Sequence, residues 1–201
     1  MPDEADFLAT YVQLVKKDDV DIVFGGRSAK HAKVDSPVLS LHKEITHTRE
    51  MLPASKRRGS PAYYFYSCNF LVRKEIILTV PLDERFSGWG WEDCEWAARA
   101  SERYRLTHID NSATHLGLLE PDKIMMKYEE SIGNFALILD LRREIIVETT
   151  IYKSARLIRQ LHLSWIVRKI SRKCVLSNAL PLKLRVVSTM LFKAALYAKV
   201  V

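Results

Sequence analysis

The sequence predicts an α/β fold with a helical extension at its C-terminal end, and three observations carry that reading. A helical period near the start runs directly into a short apolar strand. A second helix-then-strand pair recurs after residue 92. Residues 151–201 then combine apolar and basic residues at helical spacing without a single acid. Alternating helix and strand is the pattern from which open α/β sheets are wound.

Taken in order, Phe7, Leu8, Tyr11 and Leu14 share one face of a helix over Asp3–Lys17, behind Pro2 and acidic residues. Asp18-Asp19 breaks it, and Asp21-Ile22-Val23-Phe24 reads as a buried strand closed by Gly25-Gly26. From Arg27 to Ala62 the pattern is irregular, with a short helix expected over Leu41–Glu50. The basic run from Pro53 to Pro61 reads as a surface loop, either solvated or holding an anion. Tyr63–Val72 is aromatic and fits a strand, followed by a short helix and turn. Glu92–Tyr104 reads as a helix with Trp96, Ala97 and Ala100 inside and Arg99 and Arg103 outside. Thr107–Asp110 suits another strand, ending in the turn Asn111-Ser112. One long helix is expected after Pro121, through Tyr128, Ile132, Phe135 and Leu139.

Composition narrows the class. The three cysteines of the 201-residue chain are far apart and form no C-x-x-C pair, which argues for reduced thiols and against a zinc knuckle. The acidic start Met1-Pro2-Asp3-Glu4 is unlike a signal peptide. The apolar stretch 184–201 is interrupted by Arg185, Lys193 and Lys199, whereas spanning a membrane takes about 18 or more apolar residues.

The net charge of +7 conceals an asymmetry: all 24 acids lie in 1–150 beside 20 Lys and Arg, and 151–201 holds 11 cations. Such a split suggests two parts with different partners. In the second, Leu157, Ile158, Leu161 and Trp165 fall on one helical face, while Arg156, Arg159, Arg168, Lys169, Arg172 and Lys173 crowd the others. Pro181 separates a second apolar-basic segment. An acid-free amphipathic helix bearing a tryptophan suits the surface of an anionic membrane; the bland alternative is a helical pair packed on the core with its cations in water. Nucleic acid is not expected, because no helix-turn-helix, zinc finger or RNP motif accompanies the basic residues.

The densest chemical signal is Phe86-Ser87-Gly88-Trp89-Gly90-Trp91-Glu92-Asp93-Cys94-Glu95-Trp96. Two glycines permit backbone angles that other residues avoid, and exposed indoles beside them suit stacking on a sugar ring. Carboxylates then arrive in the first turn of a helix, where the dipole favours negative charge. Such a carboxylate facing a cleft can serve as general base for a hydroxyl nucleophile; the plain alternative is a helix cap beside core tryptophans.

Gly88-Trp89-Gly90-Trp91-Glu92-Asp93 resembles the G-W-G-G-E-D segment of the galactosyltransferase C-terminal module in family 2 glycosyltransferases of the GT-A type. The resemblance covers about residues 1–145 and implies a partial GT-A (Rossmann-like) domain, leaving 146–201 as a basic helical extension. It departs at Trp91, where the family has a second glycine, and at Cys94, where an acid is frequent. It implies that Glu92 contacts the acceptor sugar and that Asp93 takes the proton of the attacking hydroxyl, with inversion at the anomeric carbon. Trp89, Gly90 and Trp91 would complete the acceptor loop. Asn69, in Ser67-Cys68-Asn69-Phe70, would lie near the sugars or else satisfy buried backbone groups. His115, between a strand end and Gly117, would complete the site of a divalent metal, Mn or Mg, that offsets charge on the departing nucleoside diphosphate.

Pro2-Asp3-Glu4-Ala5-Asp6-Phe7-Leu8 resembles the segment that follows the family's metal-binding Asp-x-Asp. Asp19-Val20-Asp21 fits that motif in spelling but precedes its strand, so it reads as a turn. The expectation is therefore a chain that begins just after the true motif, as a fragment or from a misplaced start. The implied partners are a nucleotide-sugar donor, a saccharide or lipid-linked acceptor, and an anionic membrane surface. The implied location is cytoplasmic, peripheral on the inner face of the cell membrane. The rival expectation is a carbohydrate-binding half-domain without turnover, and a basic nucleic-acid-binding protein ranks below both.

Overall fold

The computed structural model describes residues 1–17, 20–33 and 37–201. They divide into an α/β unit (Met1–Lys33, Thr46–Asp83, Glu92–Leu118) and a helical unit (Val34–Ile45, Glu84–Trp91, Leu119–Val201). The class is mixed α/β, as expected.

In the α/β unit, α1 (Phe7–Lys16) leads to β1 (Ile22–Phe24) and then the two-residue β2 (Arg27–Ser28). Asp18 and Asp19, assigned to the turn between α1 and β1, lie outside the described residues. α2 (Pro37–Arg49) is longer than the helix expected there, and its residues are shared between the units. α3 (Ala54–Arg57), β3 (Phe70–Val72), α4 (Lys74–Thr79), α5 (Glu92–Ala100), β4 (Leu106–His108) and β5 (Ala113–Thr114) complete this part.

The main sheet has the order β3-β1-β4. β1 runs parallel to β4, with Phe24 opposite His108, and antiparallel to β3, with Phe24 opposite Phe70. Its three apolar side chains are fully buried, which is why a run of Ile-Val-Phe reads as a central strand. Ile22 and Phe24 pack with Phe65, Ile76, Val80, Trp96, Ala97 and Ala100. β2 and β5 pair separately in parallel.

One expectation in this unit is overturned and a second holds only in part. Tyr63–Val72 is not a continuous strand: only 70–72 pair, and residues 61–64 turn. The aromatic run meets its burial demand through side chains, with Phe65 against Phe24 and Trp96, rather than through a ladder. The basic stretch 53–61 is in part the surface loop expected, with Ser55, Lys56, Arg58, Gly59 and Ser60 exposed, but 54–57 form α3 and Arg57 is 1% exposed. The Arg57 guanidinium donates to the carbonyls of Leu52 (2.9 Å) and Ile109 (2.7 Å) and lies 4.9 Å over the Phe24 ring. A buried cation is tolerable where donors meet acceptors in this way. Burial still pulls its pKa below the usual arginine value, against the opposing pull of Asp110.

The helical unit contains α6 (Pro121–Glu130), α7 (Ile132–Leu141), α8 (Arg143–Ile146), α9 (Thr150–Gln160), α10 (Ser164–Leu176) and α11 (Leu182–Tyr197). The single helix expected after Pro121 is two, because buried Ser131 interrupts it. Its hydroxyl turns back to the Tyr128 carbonyl at 2.8 Å and meets the Tyr197 hydroxyl at 2.8 Å. Leu157, Ile158, Leu161 and Trp165 do not share one helix face either. α9 stops before His162, whose φ of 56° is left-handed, and Ile158 is buried whereas the other three are exposed. Pro181 does open a new helix, α11. Among the described residues, no helix is long and apolar enough to cross a membrane.

Candidate active site

Helix α5 sorts its three carboxylates by position. Cys94, Glu95, Trp96, Ala97 and Ala100 turn inward, and the Trp96 indole N–H donates to the Val80 carbonyl at 2.7 Å. Glu95 is therefore carried into the interior, where Arg99 one turn later clasps both its oxygens at 2.9–3.3 Å. The same guanidinium also donates to the Pro81 carbonyl at 2.8 Å. Glu95 is a structural anchor.

Asp93 stands on the opposite side of the first turn. Its Oδ2 accepts the Ser67 backbone N–H at 3.1 Å in an exposed setting. Among the described residues no cation is ion-paired to it. Asp93 is half-buried, and a carboxylate held through one oxygen, with no hydrogen bond to the other among the described residues, can take a proton from an incoming hydroxyl. Glu92, the first residue of the helix, is half-buried.

The remaining candidates of this unit are placed differently. Asn69 is buried, with its amide N–H groups donating to Gly26 O (2.8 Å) and Asn111 O (2.9 Å) and its oxygen accepting from the Tyr11 hydroxyl (2.8 Å). Of its two expected roles, the satisfaction of buried backbone is the one seen. Gly25 leaves no room beside it, since a Cβ there would lie 2.3 Å from the Tyr11 hydroxyl. His108 is a strand residue, as expected. Arg57 donates to its Nδ1 (3.1 Å) and its Nε2 faces the Pro61 carbonyl (3.0 Å), an arrangement that requires the neutral Nε2–H tautomer. Burial, reinforced by Arg57, pushes its pKa down to about 4.

His115 is half-buried beside Gly117, and its backbone N–H extends the β2–β5 pairing by donating to the Ser28 carbonyl at 2.9 Å. Among the described residues no group of three His, Cys, Asp or Glu side chains could hold a metal ion. The chain's described residues therefore do not form a complete metal centre. Asp19 of the Asp19-Val20-Asp21 spelling lies outside the described residues, and Asp21 accepts the Arg105 N–H at 2.9 Å.

The Gly/Trp segment 88–91 belongs to the helical unit. Three of its residues have positive φ: Gly88 (89°), Gly90 (84°) and Trp91 (78°). Glycine accepts such angles freely, whereas a side chain there costs about 1–2 kcal/mol. Trp91 is held in place by its surroundings. Its ring lies 5.2 Å from Phe135, and its indole N–H donates to the Tyr197 hydroxyl at 2.9 Å. The Gly90 carbonyl accepts from Asn134 at 2.8 Å.

The indoles are consequently half-buried, not the exposed faces expected of a sugar platform. With Tyr128 and Tyr197, Trp89 and Trp91 surround the Lys193 ammonium at 4.8–5.9 Å from each ring centre. Sequence reasoning treated Lys193 as an interruption of an apolar stretch. Its i, i+4 spacing to Tyr197 was the available signal, but the other rings come from distant elements.

No protein-family model, curated protein or solved structure matches the chain.

Proposed function

We propose that this chain is the acceptor-side, catalytic part of an inverting glycosyltransferase, with Asp93 as general base. The observation that carries the reading is the Asp93 carboxylate: fixed at one oxygen by Ser67 N–H, and with neither a hydrogen bond at the other nor an ion-pair partner among the described residues. The backbone adds support. Trp91 stands where the resembling segment carries glycine, and it takes the left-handed φ that glycine would adopt.

In the proposed reaction an acceptor hydroxyl attacks the anomeric carbon of a nucleotide sugar. Its proton passes to Asp93 as the new C–O bond forms, and the bond to the diphosphate oxygen breaks on the opposite face. The nucleoside diphosphate leaves with that electron pair, and the anomeric centre inverts. Glu92 would bind acceptor hydroxyls, and Trp89, Gly90 and Trp91 would shape the acceptor loop. Ligation of Mn or Mg by His115 belongs to the same proposal. Because the described residues assemble no complete metal site, no step is assigned to the ion. The acceptor would be a saccharide or a lipid-linked saccharide, met at the inner face of the cell membrane, from the cytoplasm, through 151–201.

A second reading, a saccharide-binding half-domain without turnover, draws on Asn69, whose amide is spent inside the protein. Release of nucleoside diphosphate from a panel of nucleotide sugars, with saccharide acceptors present, separates the two. Acceptor-dependent release that falls about 10²–10⁴-fold in Asp93→Asn supports the base. Acceptor binding without release in the wild type supports the second reading.

A further inference from the structure

Helix α10 presents large apolar side chains to water on the same arc as its cations. Trp165 (62% exposed), Ile170 (57%), Ile166 (46%) and Leu176 (46%) stand among Lys169, Arg172 and Lys173, while Ser171 and Val175 face inward. A helix that packed only to fill the core would place its apolar residues the other way.

Beside this arc, α6, α10 and α11 enclose a groove of about 440 Å³ lined by Glu129, Trp165, Arg168, Lys169, Arg172 and Phe192. Arg172 lies 3.7 Å from Glu129, which offsets one positive charge. Lys169 sits 4.7 Å over the Trp165 ring. No carboxylate among the described residues is ion-paired to Arg168 or Lys169, so the groove keeps a positive excess beside an apolar rim.

We propose that this groove binds the phosphate headgroup of an anionic phospholipid, with Trp165, Ile166 and Ile170 entering the boundary of the acyl chains. Charge complementarity selects the occupant, since Arg168, Lys169 and Arg172 outnumber the groove's single carboxylate, Glu129. The exposed Trp165 indole at the groove selects a lipid over a soluble anion, because a free phosphate gives it nothing to bury against. The inference rests on the reading of 151–201 as a membrane contact and names its binding groove. It does not require glycosyl transfer.

The test is flotation of the full chain with phosphatidylglycerol vesicles and with phosphatidylcholine vesicles, as wild type and three variants. Wild type is expected to float with the anionic vesicles only. The double variant Arg168→Gln/Lys169→Gln should weaken partitioning about thirtyfold, and Trp165→Ala about tenfold. The charge-matched control Arg156→Gln/Arg159→Gln on α9 should change it less than threefold, with circular dichroism verifying that each variant is folded. Equal losses in the two double variants would overturn the groove while leaving a diffuse membrane contact. Failure of the wild type to float would overturn the membrane reading and the groove together. Release of the bound chain by millimolar inorganic phosphate, at constant ionic strength, would show that the groove takes a free anion and would overturn the lipid assignment.

Discussion

The two units differ in what they leave at the surface. In the α/β unit Arg57, Asn69, His108 and Glu95 are all buried and make their hydrogen bonds within the protein, to carbonyls, to the Tyr11 hydroxyl, to the Arg99 guanidinium or to one another. Asp93, one residue before the buried Cys94, faces outward on a single backbone contact. In the helical unit Arg185 is likewise buried and donates to the Val175 carbonyl at 3.1 Å, but Lys169, Arg172 and Lys173 of α10 stay outside, and the apolar residues Trp165, Ile166, Ile170, Leu184 and Val187 share the surface with them. The comparison teaches that burial alone does not mark function here. In the first unit the candidate is the carboxylate left out of the buried network, and in the second it is the set of apolar side chains left out of the core.

Removing Arg57 should break the first pattern most severely. Arg57→Met leaves the carbonyls of Leu52 and Ile109 without their donor, and unfolding in urea should show a loss of about 3 kcal/mol or more. A surface arginine would lose well under 1 kcal/mol.

Acid should act on the same network through His108. Its folded pKa lies near 4, below the ordinary 6.5, so below pH 6.5 the unfolded chain takes up a proton that the folded chain refuses. This contribution to stability is whole above pH 6.5 and is lost progressively as the pH falls toward 4. Between pH 7 and 4.5 wild type should lose about 2 kcal/mol more than His108→Gln, read from urea midpoints at the two pH values.

The smallest of these effects sharpens the picture of the helical unit. Trp91→Phe retains the ring and the left-handed backbone but loses the bond to the Tyr197 hydroxyl, and should cost about 1 kcal/mol in thermal or urea unfolding. A neutral result would mean that the aromatic cluster around Lys193 holds Trp91 without that bond.

What could be read in advance followed from local pattern. The apolar triplet of β1 is visible because a strand buried on both faces is apolar throughout, and the inward set Trp96, Ala97 and Ala100 of α5 because that spacing shares one helix face. Pro181 is visible because proline suits a helix start. What stayed hidden depends on partners far along the chain. Arg57 looked like a solvated cation because its acceptor at Ile109 is 52 residues away. Asn69 showed an amide but not the Gly26 and Asn111 carbonyls that consume it. Trp89 and Trp91 looked like exposed platforms because Lys193 and Tyr197, which enclose them, sit about 100 residues later on α11. The break at Ser131 was hidden for the same reason, since the Tyr197 hydroxyl is 66 residues off.

The two carboxylates of α5 provide the sharpest trial, because they sit two residues apart on one helix and differ in what holds them. Asp93→Asn and Glu95→Gln should be compared side by side for acceptor-dependent release of nucleoside diphosphate and for melting temperature. Asp93→Asn should melt like wild type but lose turnover by about 10²–10⁴-fold, whereas an unchanged melt is not expected of Glu95→Gln. That second variant should melt lower yet turn over normally per folded molecule, because the Glu95 contact with Arg99 is structural. Wild-type turnover in Asp93→Asn would contradict the assignment of the base.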